Sequence, residues 1–406
     1  MKFALISQAL PPGGSGQAMV IYRLLSPLSP DTYCLISQQD HNPQKGGPDY
    51  FGRLPGKYFH LPPEYPIAPE AARWRRRARI LQGLLFGLFL RARRIAKIVR
   101  DERCEAIVAC TGGDMLNLPA GYLASRKLRV PFYAYIFDDY ANQLPTLRMI
   151  AKRLEPLMLK RAAGIITPNE FMRDTLRKRY GVEATIIRNP CDISQYKWSP
   201  DEEDAAKNGA GEIKIVYTGG VYGAHFDAFR RLIAAMQMLE RPNLKLHIYT
   251  LDPVEELQAE GISGPSVVFN EYQKLSSIAR VQQEADLLFL PLAFSSPFPE
   301  LIKTSAPGKT GELLAARRPI LVHAPPDSFI SWYFRYHECG LVVDESDTSK
   351  LAEAIDRILT DKDLRRVLSD HAWERACTDF SSTHAQAEFA HLLNLDILNR
   401  NPAIKS

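Results

Sequence analysis

The sequence of 406 residues is long enough for two or three domains. Hydrophobic residues make up 46% of it and charged residues 24%, with a net charge of +5, so neither a disordered chain nor a polytopic membrane protein fits. Its six cysteines lie far apart without CxxC or Cys/His spacing, which argues against a disulfide framework or a zinc site and predicts a reducing compartment such as the cytoplasm.

The chain opens with an apolar run, Phe3–Ile6, that lacks a small-residue cleavage site and is predicted as a first strand rather than a signal peptide. The motif PPGGSG at 11–16 follows, and a helix is predicted over 17–25. Glycines at such a turn let a ligand approach the backbone and leave helix amides for an anion or a sugar hydroxyl. The alternative is a tight turn that requires positive φ angles.

The basic residues are concentrated in one segment. Eleven arginines and lysines but only two acidic residues fall within 73–103, where they flank an apolar run of 11 residues that is too short to cross a bilayer. This composition is typical of a helix in an anionic membrane interface; the alternative is a core-packed helix with a solvated basic face. The predicted membrane contacts are Trp74, Arg75, Arg76, Arg77, Phe86 and Phe89.

Short apolar runs without polar alternation predict further strands, buried on both faces of a parallel sheet. In this half they are 33–36, 106–109, 132–136 and 164–167. Asp138 and Asp139 follow the third of these runs. Because adjacent strand residues point to opposite faces, the two carboxylates are not expected to share a metal ion. One of them could orient a sugar or acceptor hydroxyl, or it could cap the next turn.

A stretch rich in Pro, Gly and acidic residues, 188–212, predicts a linker, after which strands and helices alternate again. The second set of predicted strands is 213–218, 244–250, 266–269, 286–291, 319–323 and 341–343. An amphipathic helix is predicted near the end of the chain, over 383–400. Two doubly wound domains are expected to face a central cleft, where ligands of open α/β sheets bind.

In the second domain, segment 217–225 again predicts the end of a strand, a glycine turn and the start of a helix. Gly219, Gly220 and Tyr222 are therefore predicted to approach a diphosphate. His225 could reach an anion, but a lone histidine at a helix start is more often a plain surface residue.

The strongest local signal is segment 305–316, which predicts a helix capped by Ser305 with Pro307 in its first turn. Lys309 and Glu312 then share one helix face. A first-turn lysine opposes the helix dipole, and a bound phosphate would remove that conflict, while the carboxylate could accept hydrogen bonds from a ribose. The alternative is an exposed ion pair on a surface helix.

Four stretches together carry a resemblance that covers nearly the whole chain. They are PPGGSG at 11–16; GIITPNEFM through YGV to IRNPCD within 164–192; ADLLFLP at 285–291; and PGKTGE at 307–312. In their order and spacing they resemble the GT-B glycosyltransferases of the large retaining family 4. The second stretch is the most specific of the four.

The resemblance implies an α/β GT-B fold of two doubly wound, Rossmann-like domains that face a central cleft. It implies an acceptor-binding domain at 1–195, a linker at 196–212, a nucleotide-sugar-binding domain at 213–380, and a helix within 381–406 that crosses back to the first domain. No metal ion and no cofactor beyond the nucleotide sugar are implied.

The resemblance also implies roles for individual residues. Glu312 falls where the family binds the ribose, and Thr304 stands where a glutamate usually contacts the donor sugar. A basic pair that usually follows the first strand of the second domain is missing after Thr218, which leaves Lys309 to neutralise the leaving phosphate. The predicted donor contacts are Gly14, Ser15, Gly16, Gly219, Gly220, Tyr222, Thr304, Pro307, Gly308, Lys309, Thr310 and Glu312. The predicted catalytic residues are Asp138, Asp139 and Lys309.

The resulting hypothesis is a metal-independent, retaining hexosyltransferase. It would move a sugar from a nucleotide-diphosphate sugar to a hydroxyl of a glycan or lipid-linked acceptor in cell-surface polysaccharide synthesis. We expect it in the cytoplasm, peripheral on the inner face of the plasma membrane, with no nucleic-acid partner. The alternatives are a nucleotide-sugar epimerase, a sugar phosphorylase, or a non-catalytic partner in a polysaccharide assembly complex.

Overall fold

The computed structural model describes residues 1–41, 52–62, 73–112, 114–142, 148–197, 211–273 and 275–395, and the side chains of 73–85, 275 and 276 lie outside that description. The strands are β1 Phe3–Ile6, β2 Tyr33–Ser37, β3 Lys57–His60, β4 Ala106–Cys110, β5 Phe132–Tyr135, β6 Gly164–Thr167, β7 Thr185–Ile186, β8 Ile213–Thr218, β9 Leu244–Tyr249, β10 Val267–Asn270, β11 Leu287–Pro291, β12 Ile320–His323 and β13 Leu341–Val343. The helices are α1 Gly16–Leu25, α2 Arg73–Asp101, α3 Asn117–Leu128, α4 Arg148–Leu159, α5 Glu170–Tyr180, α6 Phe226–Met238, α7 Val254–Ala259, α8 Leu275–Gln283, α9 Pro299–Thr304, α10 Thr310–Ala315, α11 Phe329–Tyr336, α12 Thr348–Thr360, α13 Lys362–Asp379 and α14 Ser382–Leu392.

The described residues divide into two units, of which the first contains those up to Arg188 and those from Ala385 to Leu395. Its seven-stranded parallel sheet has the order β3-β2-β1-β4-β5-β6-β7. Phe3 pairs with both Tyr33 and Ala106, so the strand order reverses between β1 and β4. β1 is buried on both faces because its residues alternate between two cores: Phe3 packs with α1 and α14, and the next residue packs with α2 to α5.

The last helix, α14, completes the first unit. The ring of Phe389 is fully buried and lies edge-on to Phe3, with 5.9 Å between the ring centres. Gln386 Nε2 donates a hydrogen bond to the carbonyl of Arg23 in α1 at 2.7 Å. The predicted return of the C-terminal helix to the first domain is therefore confirmed.

The second unit, Asn189–His384, contains a six-stranded parallel sheet in the order β10-β9-β8-β11-β12-β13. β8 pairs with β9 on one side and with β11 on the other, so the strand order reverses at β8. In an open parallel sheet the crevice at such a reversal, outside the carboxyl ends of the strands, is where ligands bind.

The predicted α/β class is confirmed, since each of the two units is a parallel sheet with helices. Each predicted strand forms, and in the described part of the chain two more strands form that were not predicted. β3 is an edge strand whose ends are exposed, and β7 has only two residues, so neither is an apolar run. The predicted linker, 196–212, lies for the most part outside the described residues.

The structure assigns residues 189–195, which the prediction placed in the first domain, to the second unit. Asn189 Nδ2 donates a hydrogen bond to the carbonyl of Ala306 at 2.9 Å. The amide of Cys191 donates to the carbonyl of Phe380 at 2.7 Å. These bonds join the start of the segment to the second unit.

Candidate functional site

At the carboxyl edge of the second sheet, a lysine amine lies on an aromatic ring. β8 ends at Thr218, and the chain turns through Gly219, whose φ of +116° favours glycine. The amine of Lys309, the residue before α10, lies 3.6 Å from the centre of the Tyr217 ring. A Cβ atom on Gly219 would lie 3.0 Å from Lys309 Nζ, so the missing side chain lets the amine approach the turn.

The Lys309 amine is poorly hydrated. Burial lowers the pKa of Lys309 to about 7, although the nearby carboxylates of Glu312 and Asp252 favour its charged form. The face of the Tyr217 ring supplies a cation–π contact in place of water. At neutral pH the amine is therefore close to its titration midpoint, and a ligand that brings negative charge would keep it protonated.

The turn that follows β8 is held by bonds within the second unit. The Gly219 amide donates to the carbonyl of Tyr249 at 2.8 Å, and the Val221 amide donates to Asp252 Oδ2 at 2.6 Å. The amide of Gly220 lies between these two in the chain. Among the described residues it has no hydrogen-bond acceptor, so it is left for a ligand. Two hydrogen bonds thus hold the turn on either side of Gly220.

His225, predicted to be a surface residue, is instead buried, with 4% of its surface exposed. Its ring lies beside Tyr217 and Tyr222, at centre-to-centre distances of 6.0 and 4.4 Å. Burial and then the charge of Lys309 lower the pKa of His225 to about 3, so it is neutral at pH 7 and adds no cation to the site. Tyr222 remains 60% exposed, and the Tyr217 hydroxyl donates to the carbonyl of Gly220.

The segment around Lys309 differs from the predicted helix. Ser305 is not the predicted N-cap; it is the C-cap of α9, and α10 begins only at Thr310. A proline disfavours helical backbone in the residue before it, so Pro307 separates Ala306 from the helix that follows. The Pro307 carbonyl accepts a hydrogen bond from the Thr310 hydroxyl at 2.8 Å. Lys309 therefore precedes the helix, and Glu312, which is 6% exposed, lies in the first turn.

Thr304, a predicted donor contact, belongs to the packing of α9. It is 3% exposed, and its hydroxyl donates to the carbonyl of Glu300 one turn earlier, at 3.1 Å. It therefore presents no open hydroxyl to a sugar. The neighbouring predicted contacts Pro307 and Gly308 are partly exposed.

In the first unit, the PPGGSG loop lies between β1 and α1. Ser15 caps α1, since its hydroxyl oxygen accepts a hydrogen bond from the Ala18 amide at 3.1 Å. Gly14, Ser15 and Gly16 are exposed, and no glycine of the loop has a positive φ, so the tight-turn alternative does not explain them. Gln17 Nε2 donates to the carbonyl that follows β4, at 2.9 Å, and fixes the loop at the carboxyl edge.

Asp138 and Asp139 lie in different environments. Asp138 is exposed, although loss of hydration and then the charge of Asp139 raise the pKa of its carboxyl. Asp139 is fully buried; its Oδ2 accepts a hydrogen bond from Asn142 at 2.6 Å and forms an ion pair with Arg179 at 2.7 Å. Because Asp139 cannot reach a substrate, its predicted catalytic role is corrected to a structural one, and Asp138 remains the candidate.

The Asp139 ion pair is part of a buried network that sequence reasoning missed. Glu155 of α4 is fully buried and accepts a hydrogen bond from the Tyr180 hydroxyl at 2.6 Å. Burial raises the pKa of Glu155 to about 7, even though the Tyr180 hydrogen bond and the charge of Arg179 act in the opposite direction. The network joins α4 and α5 to the turn after β5. Among the described residues, no group of three or more His, Cys, Asp or Glu side chains is placed to hold a metal ion.

The predicted membrane helix, α2, is partly a core element. Leu88 and Ile95 pack into the core, and Arg91, one of the predicted basic surface residues, is 2% exposed. Arg91 Nη1 donates to Asp114 at 2.6 Å and to Asn117 at 2.9 Å, so its charge is neutralised inside the unit. Arg91 therefore does not belong to the exposed basic surface of α2, although the prediction included it.

Two of the predicted membrane contacts are exposed aromatic side chains: Phe86 is 57% and Phe89 is 60% exposed. The other four, Trp74, Arg75, Arg76 and Arg77, have side chains outside the described residues. No helix in the described part of the chain is long and apolar enough to cross a membrane.

Two family models match the sequence, one on each side of the predicted linker. The model described as Glycosyltransferase Family 4 covers residues 44–195, and the model described as Glycosyl transferases group 1 covers residues 212–361. The chain belongs to the family 4, group 1 glycosyltransferases. A comparison with curated protein sequences gave no match.

Several solved structures have a similar fold. Anabaena HepE, solved with UDP-glucose, is 16% identical, with 97% of this chain and 99% of that chain covered and a TM-score of 0.68. A glycosyltransferase from Rickettsia africae is 12% identical, with 98% and 99% covered and a TM-score of 0.67. Sucrose-phosphate synthase from Thermosynechococcus elongatus is 17% identical, with 97% and 98% covered and a TM-score of 0.66. At these identities the likeness establishes the fold.

Two residues of the site in this glycosyltransferase were not predicted to act there. Tyr217 carries the Lys309 amine, and Asp252 holds the glycine turn. Asp252 follows β9 at the carboxyl edge, and the same signal drew attention to Asp138. No comparable signal existed for Tyr217, because its role depends on a contact with a residue distant in sequence.

Proposed function

We propose that this chain is a retaining glycosyltransferase that transfers a sugar from a nucleotide-diphosphate sugar to a hydroxyl of a glycan or lipid-linked acceptor. The observation that carries the proposal is the Lys309 amine, which lies on the Tyr217 ring beside the Gly219 turn at the carboxyl edge of the second sheet. Anabaena HepE, a structure of the same fold, was solved with UDP and with UDP-glucose, which supports a nucleotide sugar as the ligand.

In the proposed reaction, the bond between the sugar carbon and the diphosphate oxygen breaks, and the acceptor oxygen bonds to that carbon on the same face. Negative charge builds on the departing diphosphate, where the Lys309 ammonium and the Gly220 amide would stabilise it. Glu312 would accept hydrogen bonds from the ribose. The acceptor proton would pass to the departing phosphate, so the protein need not supply a nucleophile. Asp138, on the first unit, would orient the acceptor hydroxyl.

We also propose that this transfer needs no metal ion, because Lys309 supplies the positive charge that the diphosphate requires. Activity retained in a chelating buffer would support this point, and loss of activity that Mg²⁺ restores would contradict it.

We further propose that the exposed rings of Phe86 and Phe89 of α2 contact the anionic inner face of the plasma membrane. That location suits a cytoplasmic enzyme acting on lipid-linked acceptors in cell-surface polysaccharide synthesis.

Binding of nucleoside diphosphates tests the donor site directly. UDP, GDP and ADP are titrated against the full chain, against Lys309→Met, and against the matched control Lys303→Met, whose lysine forms only a partly exposed ion pair with Asp327 at 3.7 Å. We expect at least one nucleotide to raise the melting temperature of the parent. Lys309→Met should weaken its binding by about 10- to 100-fold, the range for loss of a hydrogen bond to a charged group, and Lys303→Met should bind like the parent.

If no nucleotide stabilises the parent, or if Lys309→Met binds as tightly as the parent, the donor site proposed here is wrong. A non-catalytic role is a second candidate, which the packed, non-carboxylate side chain of Thr304 favours. Sugar transfer to an acceptor separates the two roles, because a non-catalytic partner would bind the nucleotide and transfer nothing.

A further inference from the structure

Helix α4 of the first unit exposes only basic and apolar side chains. Met149 and Leu157 are 71% and 51% exposed. The exposed cations of α4 and of the two residues after it are Arg148, Lys152, Arg153, Lys160 and Arg161. The one acidic residue of α4, Glu155, is buried and faces Tyr180. Within the described residues, no ion pair joins any of these five cations to an acidic side chain.

The exposed residues of α4 form one continuous stripe. Met149, Arg153 and Leu157 follow each other at intervals of four, which places them on the same helix face. The opposite face, which includes Ala151 and Met158, packs into the core. The core fixes the helix so that the basic and apolar stripe faces solvent.

Helix α2 presents a stripe of the same kind on the same side of the first unit. Its exposed residues at intervals of three or four are Phe86, Phe89, Arg93, Lys97 and Arg100. Helix α3 contacts both α2 and α4, and all three pack on one face of the sheet. The two stripes therefore belong to one side of the unit.

We propose that α4 is a second membrane contact, which binds anionic lipid headgroups through its cations and buries Met149 and Leu157 at the boundary of the acyl chains. Cations alone would also suit a nucleic acid, but nucleic-acid phosphates gain nothing from exposed Met and Leu side chains, whereas a lipid interface does. This inference deepens the membrane contact proposed for α2 and rests on it.

The test is flotation of the full chain with vesicles of phosphatidylcholine, with or without phosphatidylglycerol. Two variants change α4: Lys152→Glu with Arg153→Glu, and Met149→Ser with Leu157→Ser. Two controls make the same kinds of change at exposed positions of the second unit. They are Lys362→Glu with Arg366→Glu, and Met238→Ser with Val367→Ser.

We expect the parent and both controls to float with anionic vesicles and to stay behind with phosphatidylcholine alone. The charge variant of α4 should lose at least about 30-fold in partitioning, the effect of two cations near an anionic surface, and the apolar variant about 10-fold. Flotation of both α4 variants like the parent would overturn the inference. So would a parent that ignores anionic vesicles but binds an oligonucleotide through Lys152 and Arg153.

Two further readouts keep this inference apart from the proposed function. The nucleotide-dependent rise in melting temperature should survive in both α4 variants, and a parent that floats without showing that rise would overturn the donor proposal alone. Phe86→Ser with Phe89→Ser tests the α2 contact separately. If this variant floats like the parent while the α4 variants do not, the α2 contact fails, and the claim that α4 is a second contact beside it fails as well.

Discussion

The amine of Lys309 is held at a cost in stability that a ligand can offset. Its pKa is about 7 in the folded protein, against 10.5 for an ordinary lysine, because burial removes water from the ammonium. Between these values the unfolded chain binds the proton more tightly, so this residue makes stability rise with pH from about 7 to 10.5. A diphosphate beside the amine would restore the charged form and recover the lost interaction.

This linkage predicts how donor binding depends on pH. Because the charged amine binds a diphosphate and the neutral amine does not, the Kd should rise above pH 7, by up to about tenfold per pH unit. Calorimetry at pH 8 in two buffers with different ionisation enthalpies should detect proton uptake on binding. In Lys309→Met both the pH dependence and the uptake should vanish. Equal Kd values at pH 7 and pH 9 in the parent would show that Lys309 does not hold the phosphate.

The sequence could point to Lys309 but could not describe its surroundings. The conflict between a lysine and the start of a helix was visible in the order of the residues, as was the glycine turn after β8. The contact between the Lys309 amine and the Tyr217 ring could not be predicted, because the two residues lie far apart in the sequence. The burial of His225 followed from the same ring cluster, which explains why it was wrongly predicted as a surface residue.

At the scale of elements, the buried network of Asp139, Arg179, Glu155 and Tyr180 positions the loop that carries Asp138. It joins α4, α5 and the turn after β5 by an ion pair and a hydrogen bond. A buried ion pair is costly to break because the remaining charge stays unpaired. The exposed Asp138 therefore depends on its buried neighbour for its position.

Matched substitutions separate the two aspartates. Asp139→Asn should lower the free energy of unfolding by about 1 to 3 kcal/mol, because it replaces the buried carboxylate that accepts from Arg179 with a neutral amide. Asp138→Asn should leave that free energy within about 0.5 kcal/mol of the parent, as expected for a surface substitution, but should lower turnover by about 10- to 100-fold through loss of acceptor orientation. Urea unfolding and sugar transfer measure the two effects. Unchanged turnover in Asp138→Asn would remove that carboxylate from the mechanism.

Strands that are buried on both faces could be predicted from the sequence. Short edge strands and the start of α10 could not. Strands such as β1 and β4 are continuous apolar runs, so their existence and approximate limits follow from composition. β3 and β7 are short edge elements without that signal. α10 begins only at Thr310, after a turn in which the Thr310 hydroxyl donates to the Pro307 carbonyl, and the charged residues do not indicate that turn. Aspartates 138 and 139 look alike in sequence, and only the packing of α5 distinguishes them.

At the scale of the molecule, the two ends of the chain form one unit. α14 fills the space over β1 that α1 leaves open, so the core around Phe3 is complete only when the last helix is in place. The resemblance to family 4 implied this return, and the residues alone predicted only an amphipathic helix. Folding of the first unit therefore depends on residues that follow the whole of the second unit.

Phe389→Ala tests this dependence. Removing a fully buried ring from the core should lower the free energy of unfolding of the first unit by about 3 to 5 kcal/mol. Phe389 has this effect although it lies far in sequence from β1. Hydrogen exchange should therefore become faster in β1 and remain unchanged in β8, which belongs to the second unit. His391→Ala, an exposed change in the same helix, should leave both strands as in the parent. If exchange in β1 is unaltered by Phe389→Ala, α14 contributes nothing to that core; if β1 and β8 speed up equally, the two units unfold together and the dependence is not specific to the first.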